Sequence, residues 1–147
     1  MTVHLIKLCV GVETPRELAD WQDRHLRRLA RSGKRPEHCH RTLQTPRRRD
    51  EILNGGSLYW VIKGFVLVRQ RVLDLRDDTR EDGSPCCGIV LDTELVPTRP
   101  QPRRAFQGWR YLEAADAPSD GKSFDDRAEA MPRAMREELR ALRLIDW

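Results

Sequence analysis

Arginines interleaved with aromatic residues carry the clearest chemical meaning in this chain. Arg47, Arg48 and Arg49 precede a long apolar run, Arg69 and Arg71 take alternate positions after it, and Arg103, Arg104 and Arg110 flank Phe106, Trp109 and Tyr111. A guanidinium grips phosphate through a forked pair of hydrogen bonds, and an exposed ring offers a base a stacking surface contributing roughly 1–3 kcal/mol. Together they predict a surface for single-stranded or structured RNA, with Trp109 as the stacking ring. The competing explanation is that Tyr59, Trp60 and Trp109 belong to the core and the arginines merely solvate a surface.

Lys63 is the other chemically suggestive residue, alone in "GGSLYWVIKGFVLVRQRVLDL" (55–75) beside Gly64. Buried, its ammonium would lose hydration and its pKa would fall, making it a base or a substrate contact. At a turn it would reach water and join the rim of the basic surface. With Thr42 on a neighbouring stretch it is the candidate for hydrolysis of modified nucleosides or amides, and Asp92 or Glu94 are the carboxylates that could assist. No catalytic set is assigned.

His38, Cys39, His40, Cys86 and Cys87 raise the question of zinc, but adjacent cysteines reach one tetrahedral ion poorly and no C-x2-C pair exists. Cys39 as a nucleophile with a neighbouring histidine fails because sequence neighbours on a strand point to opposite faces. Neither a metal nor a cofactor is expected.

The elements that would position these residues follow from pattern. "VHLIKLCVGV" predicts a buried strand, and Thr14, Pro15 and Glu17 form a hydroxyl cap, a proline at the first helical position and a carboxylate that can bond back. Leu18, Trp21, His25 and Leu29 then predict the inner stripe of a helix that Ser32 and Gly33 end. A short strand at His40 to Leu43 and a second helix starting at Thr45–Pro46 and bearing the three arginines come next. Residues 57–63 and 65–75 read as strands, with Lys63–Gly64 either a two-residue hairpin turn or a bend in one long strand. "CCGIVLDTELV" predicts another strand, and the proline-rich stretch that follows predicts extended strand and loop. Met131, Met135, Leu139 and Leu142 predict an amphipathic terminal helix, whose positive end Asp125, Asp126 and Glu129 would favour. The order implies a single α+β domain over 1–147, built on a small curved, mostly antiparallel sheet or a β-barrel flanked by helices.

Composition narrows the function classes. Apolar residues make up 39% and charged residues 34%, which excludes a disordered chain, and neither a signal peptide nor a membrane span is recognisable. A cytoplasmic protein with reduced thiols and no membrane partner is expected. Residues 1–76 hold 16 Lys and Arg against 8 Asp and Glu, whereas residues 77–147 hold 11 against 15, so the positive field lies in the first half.

"HLIKLCVGV", "GGSLYWVIKG" with "RQRVLDL", and "FQGWRYL" together resemble an uncharacterised bacterial family, domain of unknown function 1489, nearly end to end; that resemblance implies no activity. The glycine-led strand pair after a short helix is also similar to the PUA-like superfamily, with its ASCH and EVE domains, over about residues 40–112. This second resemblance implies a small β-barrel and RNA or modified-base binding, with nucleoside hydrolysis in a few ASCH-type members. RNA or another nucleic acid is therefore the expected partner. A small hydrolase using Lys63 and a protein-interaction module are the alternatives, and oligomeric state is left open.

Overall fold

The structure, a computed structural model, describes residues 1–121 of the chain. The terminal helix expected around Met131 to Leu142, and Asp125, Asp126 and Glu129 before it, lie outside the described residues.

Among the described residues seven strands and two α-helices form an α+β unit: β1 (Val3–Leu8), α1 (Pro15–Arg31), β2 (His38–Thr42), α2 (Arg49–Leu53), β3 (Ser57–Ile62), β4 (Phe65–Thr79), β5 (Pro85–Leu91), β6 (Val96–Pro102) and β7 (Trp109–Glu113). The strands make one mixed sheet in the order β2-β5-β4-β3-β1-β7, with β6 also on β4. Among the described strands only β1 and β3 run parallel, because α1, β2 and α2 intervene between them and return the chain to the same end; the other pairings are antiparallel. Among the described residues the sheet is open, with β2 and β7 at its ends, so the expected mostly antiparallel sheet is present and a closed barrel is not.

The 15-residue strand β4 organises the sheet. Its first half lies between β3 and β6 and its second half pairs with β5. The register shifts opposite Leu67 and again at Leu73, leaving Leu73 unpaired and pointing outward, 53% exposed. Each bulge bends and twists the strand, allowing one strand to serve two differently oriented halves.

Between β3 and β4, Ile62 pairs with Phe65 across Lys63 and Gly64, both at positive φ (49° and 85°). This is a two-residue hairpin turn, and it resolves the alternative that the sequence left open. All six β3 residues are buried, as expected for a strand covered on both faces: Leu58, Trp60 and Ile62 enter the main core with Val3, Leu5, Leu18 and Ile52, while Tyr59 and Val61 join Ile6, Val66 and Leu112 on the other side.

Helix α1 starts as its sequence dictates, with Thr14 Oγ1 accepting the Glu17 N–H at 3.2 Å and Glu17 Oε2 accepting the Glu13 N–H at 3.1 Å. Its inner stripe differs from the expectation. Leu18 and Gln22 are buried, whereas Trp21 is 47% exposed. A glutamine faces inward because a buried partner, Gln70 on β4, satisfies its amide. Helix α2 is also shorter than expected: Thr45 and Pro46 lie in the preceding loop, Arg48 is the residue before the first turn, and only Arg49 of the three arginines is helical.

Candidate nucleic-acid interface

Local geometry divides the expected site residues into distinct groups. Arg48 donates to Glu51 Oε2 (2.7 Å) and Oε1 (2.8 Å) and to Glu113 Oε1 (2.6 Å), with its guanidinium 5.3 Å from the centre of the Tyr111 ring. Hydrogen bonds to Glu51 and Glu113 hold its pKa above the ordinary arginine value, and the same bond holds the Glu51 carboxyl below its own. Arg49 donates to the Leu75 carbonyl and to Asp74 Oδ1 (3.1 Å). Arg69 forms a two-pronged pair with Asp120, 2.8 Å on each side, and also reaches Ser57 Oγ. These three arginines tie the fold together, each neutralised by a carboxylate that lies far away in sequence or one turn along.

Arg103, Arg104 and Arg110 behave differently. They line one open groove of about 450 Å³ whose other walls include Ile6, Phe106 and Leu112, and among the described residues no carboxylate lines it. Arg103 Nε and Nη2 donate to the uncharged Gln101 Oε1, so no carboxylate among the described residues compensates its charge. Arg110 rests 5.2 Å over the Phe106 ring, a stacked cation with its outer face open. Strand β7 supplies Arg110 opposite Ile6 of β1, and the loop after β6 supplies the rest.

Strand alternation separates Trp109 from this groove. Trp109 pairs with Lys7 and Arg110 with Ile6, so the two side chains emerge on opposite faces of β7. The Trp109 indole N–H donates to the Gln44 carbonyl at 2.8 Å, and its ring meets Tyr111 edge-to-face at 4.9 Å. Tyr111 in turn accepts the Arg47 backbone N–H through its hydroxyl at 2.8 Å, so the β7 end of the sheet is fastened to the loop after β2. Trp109 is therefore a fastener, and Phe106 is the ring inside the groove. The choice between them was available from the period-2 alternation of "WRYLE".

Arg47 is exposed at the same edge strand, on the Tyr111 side. Arg71 is exposed on β4, away from the groove residues. Lys63 stands at the hairpin turn, exposed and 3.5 Å from Glu13; the Arg103 N–H donates to the carbonyl of the next residue, Gly64, and so brings this turn beside the groove. A buried catalytic lysine is not what the chain builds. Thr42 is buried with its hydroxyl donating to the Gln44 carbonyl, and Asp92 turns inward only through its backbone carbonyl, which accepts from Gln70. The four cysteines are free, and among the described residues no group of three or more His, Cys, Asp or Glu side chains could hold a metal ion.

Fold and groove thus define a small α+β domain with a basic, aromatic-floored groove at one sheet edge, and no helix among the described residues is long and apolar enough to cross a membrane. The family model described as a protein of unknown function (DUF1489) matches residues 5–145, and the chain belongs to that family. No curated protein and no solved structure matches it.

Proposed function

We propose that this protein binds RNA through the groove at β7. Arg103, Arg104 and Arg110 would contact phosphates, Phe106 would stack a base, and the Lys63 turn would extend the positive margin. The observation that carries this reading is the segregated charge: three guanidiniums share a groove that no carboxylate lines among the described residues, while Arg48, Arg49 and Arg69 are each matched by at least one. A solvated surface has no need of such segregation, whereas a phosphate ligand does. The similarity of the glycine-led hairpin to PUA-like domains is part of the same proposal.

Fluorescence anisotropy with a labelled single-stranded RNA, a structured RNA and duplex DNA across a salt series tests it. Three or so phosphate contacts to a single strand should give a log–log salt slope of roughly −2, about −0.7 per contact. Reversing Arg103 and Arg104 to glutamate should weaken binding at least about tenfold and flatten that slope. Absence of RNA binding at low salt would refute the proposal.

A further inference from the structure

On the opposite face of β1 from the arginine groove lies a second concavity of about 620 Å³, enclosed by α1, the loop after β1, and β2. Small-molecule sites typically span roughly 300–1,000 Å³ and combine flat apolar walls with a few polar groups. This one has both. Trp60 is at its base, its indole N–H already bonded to Gln70, and His40 stands edge-on to that ring at 5.3 Å. Trp21, the large aromatic side chain that α1 leaves exposed, stacks on His25 at 5.1 Å and 12° at the wall opposite.

The polar groups are unevenly distributed. Gln22 and Gln70 satisfy each other beneath the pocket, so that part of the floor asks nothing of a ligand. His40 Nε2 is buried with no hydrogen-bond partner among the described residues, a state that ordinary interiors avoid. Lys7, paired in register with Trp60 and so on its face, lines the same space without an acidic partner among the described residues. Partial burial lowers its pKa, a sign that its charge is partly desolvated. Arg41, also in the lining, is already matched by Asp78 at 3.0 Å, and among the described residues no carboxylate is in the lining.

We infer that this pocket binds a small planar acid, an aromatic or heteroaromatic ring bearing a carboxylate, with the carboxylate on Lys7, the ring between the Trp21 and Trp60 walls, and His40 Nε2 hydrogen-bonded to a polar ring substituent or to the acid itself. A cation would meet the Lys7 charge with no lining carboxylate among the described residues to offset it, and an aliphatic ligand would leave the stacked aromatic walls unused. This site is separate from the arginine groove and does not depend on RNA binding.

Saturation-transfer NMR with indole-3-carboxylate and its uncharged isostere indole-3-carboxamide is the test. The acid should bind the wild-type chain at least about tenfold more tightly than the amide, the margin expected for one charge-assisted contact. Lys7→Met and Lys7→Gln should both erase that preference, and His40→Phe should weaken both probes. Thermal unfolding of each variant confirms that it folds. Equal affinity for acid and amide, persistence of the preference in both Lys7 variants, or no binding of either probe would overturn the inference.

Discussion

Gln22 of α1 and Gln70 of β4 exchange two hydrogen bonds of 2.9 Å across the core, and Gln70 is entirely buried. Gln70 Oε1 also accepts from the Trp60 indole (2.8 Å), and its Nε2 also donates to the Asp92 carbonyl (2.9 Å), so every donor and acceptor of this amide is filled. Replacing it with an apolar residue of similar length strands the Trp60 N–H, the Asp92 carbonyl and the Gln22 amide. Each buried polar group left unsatisfied costs about 1–3 kcal/mol. Gln70→Met is therefore expected to lose more than about 2 kcal/mol in urea unfolding. The double variant Gln22→Leu/Gln70→Met should recover part of that loss, and additive losses would show that the pair does not act as a unit.

Stability should also depend on pH through His40. Burial pushes its pKa down to about 4, with the Lys7 charge acting in the same direction, against an ordinary value of 6.5. Burial likewise lowers His38 on the same strand. Between those two values the unfolded chain binds a proton at His40 that the folded chain refuses, so stability is complete above pH 6.5 and declines as pH falls towards 4. A shift of this size corresponds to about 3 kcal/mol at its limit. His40→Phe should flatten the unfolding free energy across that window, and an NMR titration of the imidazole should show the depressed midpoint directly. An unchanged slope in the variant would assign the acid sensitivity to other groups.

Gly56 sits where other main chain approaches too closely to admit a side chain. A Cβ there would stand 2.5 Å from the Val3 carbonyl oxygen and closer still to that of Ile52, while the Gly56 N–H donates to Ile52 at 2.8 Å and its carbonyl accepts from Val72 at 3.0 Å. Both obstacles are main chain and cannot rotate away. Gly56→Ala should destabilise by about 1–3 kcal/mol through overpacking where α2 enters β3. Gly83→Ala, where nothing lies within 4 Å of the added carbon, bears only the strain of positive φ and should lose less.

What was legible in the sequence was local. The cap at Thr14, the apolar strands and the glycine after Lys63 act on their own neighbours, and these elements appear where pattern puts them. What was not legible depends on partners far along the chain. Trp21 turns outward and Gln22 inward because Gln70, 48 positions from Gln22, satisfies that amide, and Arg48 and Arg69 are drawn into ion pairs because Glu113 and Asp120 meet them across the fold. Trp109 and Arg110 are a different case, since alternation along a strand already forbids neighbours from sharing a face.

That alternation supplies the sharpest test of the groove. If Phe106 is the stacking ring, Phe106→Ala should lose roughly 1–3 kcal/mol of RNA affinity, read by anisotropy, with little change in stability. Trp109→Ala should do the reverse. It removes the indole bond to Gln44 and the edge-to-face contact with Tyr111, loosening the attachment of β7 to the loop after β2, so its effect should appear as a lowered unfolding midpoint. Arg49→Ala, which releases Asp74 and the Leu75 carbonyl but leaves the groove intact, should bind RNA like the wild type. An affinity loss in Trp109→Ala that exceeds the loss in Phe106→Ala, with both variants fully folded, would move the RNA contact to the opposite face of β7.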